Sequence, residues 1–97
     1  MIHHIVLFKL KSGVEKNSEA VKQAIAAMKA LPKQVPQIRQ WTSGENFTQR
    51  SVAYDFGLYS TFDNQADLAT YATHPEHVKV IDMWRAISEW NICDFSD

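Results

Sequence analysis

Apolar positions along the chain recur at two spacings, every second residue in some segments and every three to four residues in others. Residues 2–10 alternate and predict a strand that is apolar on both faces. One face carries His4, Val6, Phe8 and Leu10, and the other carries Ile5, Leu7 and Lys9. A strand with two apolar faces is normally covered on both sides, so other parts of the protein are expected to pack against both faces of this strand.

Residues 18–31 show the helical spacing. Ser18 can cap the amino end of this helix, and Glu19 adds an acidic residue to its first turn. The apolar stripe of the helix consists of Val21, Ala24, Ile25, Met28 and Leu31. Pro32 and Pro36 are expected to end the helix, since proline removes a backbone donor and clashes with the preceding turn.

Three further strands and a broken helix complete the pattern. The strands are predicted at residues 37–43, 52–60 and 90–95. The helical segments are predicted at residues 64–72 and 76–88. Pro75 lies between them, and proline breaks one helix and can open the next. Tyr71 and His77 are therefore expected near each other at this junction.

This order, β-α-β-β-α-β, predicts an α+β fold with ferredoxin-like topology in a single domain of residues 1–97. The sheet has four antiparallel strands, and the helices lie on one face of it. The residues assigned to the other, open face are His4, Val6, Phe8, Phe56 and Leu58. Exposed apolar sheet costs about 25 cal/mol per Å². A homodimer is therefore expected, in which the two joined sheets enclose a barrel-like interior.

Composition excludes several classes of partner. Ten basic and eleven acidic residues give a net charge of -1, and the basic residues are scattered, so nucleic acid binding is not expected. No apolar run approaches the ~20 residues of a membrane helix, and the first residues do not resemble a signal peptide. Cys93 is the only cysteine, which fits a reducing compartment. A cytoplasmic protein without a membrane partner is expected.

The residues most able to carry chemistry lie around Pro75. His77 titrates near neutrality and is the candidate general base, and Tyr71 can hydrogen-bond to a substrate oxygen or to the imidazole. These two residues are the predicted catalytic pair. The alternative is structural, with both side chains only stabilising the break between the helices.

The predicted ligand contacts are mostly apolar. They are His4, Val6, Phe8, Phe56, Leu58, Val80, Met83 and Ile87. Their alternative role is ordinary core packing.

His74 and His3 are expected at the surface or in structural roles. His74-Pro-Glu-His77 is not a helical zinc motif, because proline interrupts the required helix. No metal is therefore expected. No phosphate-binding glycine loop is present, and no cofactor is expected. The sequence also contains no nucleophile motif.

Several motifs together resemble the stress-responsive dimeric α/β barrel (Dabb) family over nearly the whole chain. The motifs are His4-Ile-Val-Leu-Phe-Lys9, Pro36-x-Ile38, Gly44-x-Asn46, Tyr54-Asp55, Phe62, Leu68-x-x-Tyr71-x-x-His74-Pro75-x-His77 and Asp94. The resemblance implies a homodimeric barrel of ferredoxin-like subunits. It agrees with the dimer expected from the open sheet face.

The family includes olivetolic acid cyclase-like proteins, whose catalytic tyrosine and histidine correspond to Tyr71 and His77. A pocket histidine on their first strand corresponds to His4. On that resemblance, His77 would remove a proton alpha to a carbonyl while Tyr71 holds an oxygen. The chain departs from the cyclase at Phe56, where the cyclase has a second pocket histidine, and at Ala24 and neighbouring positions, where the cyclase has aromatic residues.

Three functions follow as hypotheses. The first is binding of a small apolar or aromatic molecule in the barrel interior, with His77, Tyr71 and His4 as polar contacts. The second is a cofactor-free cyclase, lyase or isomerase that uses the same residues. The third is a structural stress-response protein with a filled interior. An open or a filled interior distinguishes the third hypothesis from the others.

Overall fold

The computed structural model describes residues 1–97 and confirms the ferredoxin-like fold. Its elements are β1 (Ile2–Leu10), α1 (Glu19–Gln34), β2 (Gln40–Glu45), β3 (Phe56–Phe62), α2 (Gln65–Thr73), α3 (Pro75–Ile87) and β4 (Ser88–Ser96). The four strands form one antiparallel sheet in the order β2-β3-β1-β4. None of the three helices combines the length and the apolar character that crossing a membrane requires.

The central position of β1 explains its two apolar faces. It pairs with β3 on one side and with β4 on the other, so that Val6 lies opposite both Leu58 and Ile92. Directly opposed residues in an antiparallel pair share a face of the sheet. His4 therefore lies beside Ser60 and Asp94 on one face, and this register positions the site described below.

Three predicted boundaries are wrong by three residues or more. Strand β2 begins at Gln40 and not at residue 37, and the other two differences have identifiable reasons. Helix α1 continues past Pro32 to Gln34, because the last turn is held by the bond from the Val35 N–H to the Leu31 carbonyl and by the fully buried Val35 side chain. The predicted strand at 52–60 begins only at Phe56. Residues 46–55 instead form a loop, in which Asp55 accepts a hydrogen bond from the Leu10 N–H.

The sheet face that the sequence analysis left open is in fact the covered one. His4, Val6, Phe8, Phe56 and Leu58 are all buried. The Phe8 ring lies 4.3 Å from the Trp84 ring of α3, and the Phe56 ring lies 5.5 Å from it. The assignment of these residues to the uncovered face was therefore wrong. The period of two shows which residues share a face, but the long-range packing of Trp84 decides which face meets the helices.

The opposite face of the sheet is the one without helices, and we call it the outer face. It carries the odd positions of β1 together with their neighbours on β3 and β4, among them Ile5, Leu7, Tyr59 and Phe95. Leu7 is 45% exposed and Phe95 is 43% exposed. Exposed apolar side chains are still the reason to expect a homodimer, but these side chains lie on the outer face.

Candidate functional site

A cavity of about 240 Å³ lies between the sheet and the helices of a single chain. Of its 17 lining residues 14 are hydrophobic, and the others are His4, His77 and Asp94. The cavity therefore belongs to one protomer, whereas the sequence analysis expected an interior between two joined sheets. The physical reason is that the sheet face predicted to be open packs against α1 and α3. The cavity on that face therefore lies between the sheet and the helices of the same protomer.

The predicted ligand contacts divide into two groups. The contacts that line the cavity are His4, Val6, Phe8, Leu58 and Val80. Phe56 and Ile87 are buried in the core outside the cavity lining, and Met83 packs against that core from a half-buried position. The structure adds three tryptophans to the lining, Trp41, Trp84 and Trp90. The positions of these tryptophans along the chain do not predict that they line the same cavity.

The break between α2 and α3 brings the predicted catalytic pair together. His74 caps the carboxyl end of α2 and the amino end of α3, where its Nδ1 accepts from the Glu76 N–H at 3.1 Å, and Pro75 opens α3. The rings of Tyr71 and His77 consequently lie 3.9 Å apart. Their predicted proximity is confirmed. The sequence predicts a surface or structural position for His74, but it does not predict that His74 caps both helices.

His77 is held as a neutral imidazole with one free nitrogen. Its Nδ1 lies 3.1 Å from the Ala72 carbonyl oxygen, and a carbonyl oxygen only accepts, so Nδ1–H is the donor. Burial lowers the pKa of His77 below its usual 6.5, the Ala72 carbonyl offsets this lowering in part, and the nearby His4 adds to it. The free Nε2 of His77 can therefore act as a base. The same bond to Ala72 also stabilises the end of α2, as the structural alternative requires.

Tyr71 supplies a protonated hydroxyl beside that base. The residue is 2% exposed, and its ring lies among those of His4, Phe62 and Trp41 at distances of 5.8, 5.0 and 6.0 Å. Burial raises the pKa of Tyr71 well above its ordinary value, and the Asp94 carboxylate raises it further. The hydroxyl therefore keeps its proton and is available as a hydrogen-bond donor.

His4 is paired with Asp94, a site residue to which the sequence analysis gave no role. The two residues lie directly opposite each other on β1 and β4, and His4 Nδ1 is hydrogen-bonded to Asp94 Oδ1. A carboxylate accepts hydrogen bonds, so His4 Nδ1 is the donor, and His4 Nε2 has no hydrogen-bond partner in the chain. The two residues are 90 positions apart in the chain, and only the β1–β4 register brings them together.

The resulting arrangement is an apolar cavity with a few convergent polar groups. The Tyr71 ring lies next to both imidazoles, 5.8 Å from the His4 ring and 3.9 Å from the His77 ring. No three His, Cys, Asp or Glu side chains are placed to hold a metal ion together. Such a site can orient a ligand oxygen by a donated hydrogen bond and can remove a proton from a neighbouring atom.

Solved structures share this fold over nearly the whole chain. A dimeric ferredoxin-like protein from Bacteroides fragilis is 34% identical, with 99% of this chain and 95% of that chain covered and a TM-score of 0.84. The hydroxynitrile lyase from Passiflora edulis is 20% identical, with 97% and 90% covered and a TM-score of 0.82. At that identity the likeness to the lyase concerns the fold alone.

Sequence comparison reaches the same group of proteins. An uncharacterized protein of Streptomyces coelicolor is 37% identical over 95 residues, which cover 98% of this chain and 98% of that protein. The family model described as the stress responsive A/B barrel domain matches residues 2–97. These matches agree with the ferredoxin-like order of the elements. The chain therefore belongs to the stress-responsive A/B barrel domain (Dabb) family.

Proposed function

We propose that the protein is a homodimer in which each protomer binds a small, largely apolar or aromatic molecule between its sheet and its helices. The observation that carries the proposal is the cavity of about 240 Å³ and its apolar lining. Tyr71 and the histidines His4 and His77 would orient the bound molecule through its polar atoms. An open cavity argues against the third hypothesis, a structural protein with a filled interior.

The size of the cavity sets the size of the ligand. An apolar protein cavity of about 150 Å³ is large enough for benzene. A cavity of about 240 Å³ therefore has room for a bicyclic aromatic molecule. Small ligands of this kind bind with dissociation constants of about micromolar to millimolar, since each heavy atom contributes only a fraction of a kcal/mol up to about 1.5 kcal/mol.

The homodimer is supported by the outer face of the sheet. Its apolar side chains include Leu7 and Phe95, which remain exposed in the single chain. The Bacteroides fragilis protein, 34% identical to this chain, is described as dimeric. A dimer that pairs two outer faces would leave the cavity of each protomer open on the helix side.

A bulky side chain at Ala72 is expected to abolish binding. Ala72 lines the cavity and is exposed, so Ala72→Trp places an indole where the cavity reaches the surface, with little strain on the fold. Calorimetric titration with β-naphthylmethanol measures the result. We expect the dissociation constant to rise by about a hundredfold or more, because the ligand then loses most of its apolar contact.

Ala66→Trp is the matched control. Ala66 is exposed on the same helix and does not line the cavity, so this variant should bind like the wild type. Equal binding by the wild type and Ala72→Trp would place the ligand elsewhere. Native mass spectrometry of the purified protein adds an independent test, since a dimer with extra mass carries a ligand that can be identified.

The second candidate function is a cofactor-free acid–base enzyme of the cyclase or lyase type. The observation that favours it is the free Nε2 of a neutral His77 beside the protonated Tyr71. In such an enzyme His77 removes a proton alpha to a carbonyl group. The Tyr71 hydroxyl donates a hydrogen bond to the carbonyl oxygen as it becomes an enolate. The hydroxynitrile lyase shows that this fold is compatible with an enzyme.

Exchange of the alpha protons of β-tetralone in deuterium oxide tests this chemistry directly by NMR. We expect the wild type to accelerate exchange and His77→Ala to lower the rate by about a hundredfold. Because the neutral imidazole is the active form, the rate should rise with pH and reach its plateau through a midpoint below 6.5. A midpoint above 6.5 would contradict the assignment of His77 as the base.

His3→Ala serves as the control, because His3 bonds Tyr59 and Asp97 and does not line the cavity. Its exchange rate should equal that of the wild type. If His77→Ala retains the wild-type rate but loses several kcal/mol of unfolding free energy, the role of His77 is structural only.

A further inference from the structure

The cavity continues into a groove between α2 and β4. The groove has a volume of about 580 Å³, and it shares Leu68, Ala72 and Asp94 with the cavity. Ala72 is exposed, and the Asp94 side chain is 39% exposed. These shared residues therefore form the mouth through which a molecule in the cavity would meet solvent.

Asp94 has an unused hydrogen-bond acceptor at this mouth. Its Oδ1 is bonded to His4 Nδ1, and its Oδ2 has no hydrogen-bond partner in the chain. The bond to His4 holds the carboxylate in place, so Oδ2 is a positioned acceptor. A ligand group that donates a hydrogen bond could pair with it.

The charge of Asp94 is not balanced by any lysine or arginine nearby. Neither residue type lines the cavity or the groove, and Asp94 is the only carboxylate in either lining. The other polar groups at the cavity are the two histidines, the tyrosine hydroxyl and the indole N–H groups of the tryptophans, and those of Trp41 and Trp84 are buried without a hydrogen-bond partner. An anionic ligand in the cavity would therefore lie close to a fixed negative charge, and the two charges would repel each other.

We propose that Asp94 determines the ligand class of this site: aromatic or apolar molecules that carry a hydroxyl or ammonium donor, and not carboxylates. The aromatic part fills the cavity, and the donor group bonds Asp94 Oδ2 at the mouth. This inference rests on the proposed binding function and adds to it the polarity and charge of the ligand.

Three probes with the same ring separate the charge from the shape of the ligand. They are β-naphthylmethanol, β-naphthylmethylammonium and β-naphthoate, titrated calorimetrically at about pH 7.5, where the last two are charged. In the wild type we expect β-naphthoate to bind at least about tenfold more weakly than the alcohol. The ammonium compound should bind as tightly as the alcohol or more tightly.

Asp94→Asn removes the charge and keeps an oxygen that can accept from His4 Nδ1. In this variant β-naphthoate should gain about tenfold in affinity and the ammonium compound should lose about tenfold. Asp82→Asn is the control, because Asp82 is exposed on α3 and lines neither the cavity nor the groove. It should leave all three affinities unchanged.

The outcomes separate the two proposals. If β-naphthoate binds the wild type as tightly as the alcohol, or if Asp94→Asn leaves the affinities of β-naphthoate and the ammonium compound unchanged, the role of Asp94 is overturned while the binding function stands. If none of the three probes binds the wild type, the binding function fails and the inference about Asp94 fails with it.

Discussion

A Leu7→Asp variant is expected to fold normally and to become a monomer. Leu7 is 45% exposed on the outer face, where it contacts no helix of its own chain, so the charge costs the isolated protomer little. In a dimer that joins two outer faces, the same charge would be buried without a partner. That burial costs several kcal/mol and should raise the dimer dissociation constant by about a thousandfold.

Size-exclusion chromatography with light scattering measures this change directly. Val78→Asp is the matched control, because Val78 is an apolar residue of α3 that is 42% exposed on the helix side. The control should remain a dimer with the mass of the wild type. A Leu7→Asp variant that remains dimeric would exclude the outer face from the interface.

A Phe8→Asp variant is expected to unfold, although Phe8 is the next residue along the same strand. Phe8 is 6% exposed, and its ring lies 4.3 Å from that of Trp84 and 6.0 Å from that of Trp90. The substitution removes these contacts and buries a carboxylate without a partner. The cost is about 5 kcal/mol or more, which equals much of the stability of a typical small domain.

Urea denaturation followed by far-ultraviolet circular dichroism tests this expectation. Phe8→Leu is the control, because it keeps an apolar side chain in the same space and should cost only about 1–2 kcal/mol. A cooperatively folded Phe8→Asp protein with wild-type stability would contradict the burial of Phe8 against α3. The Leu7→Asp and Phe8→Asp variants therefore test the two faces of β1 independently.

The helix break at Pro75 shows what local sequence can predict. Tyr71 and His77 are only six positions apart, and the conformational restriction of proline acts within that interval. Their proximity could therefore be predicted before any tertiary structure was considered. The 3.9 Å separation of their rings agrees with that prediction.

The remaining parts of the site depend on contacts that are remote in sequence. Asp94 meets His4 only through the register of two strands at opposite ends of the chain. Phe56 and Ile87 fit the apolar pattern as well as Val6 and Val80 do, yet they lie outside the cavity lining. A periodic pattern reports that a residue is buried, and it does not distinguish a packed position from one beside a cavity.

The order of the elements, the ferredoxin-like topology and the proximity of Tyr71 and His77 can be predicted from the amino-acid sequence. These features follow from periodicity and from proline, which act over a few residues. Long-range packing is needed to establish which face of the sheet meets the helices, where the cavity lies and that Asp94 belongs to it. The physical reason is that alternation is symmetric between the two faces of a strand, and the packing of distant side chains such as Trp84 against Phe8 breaks that symmetry.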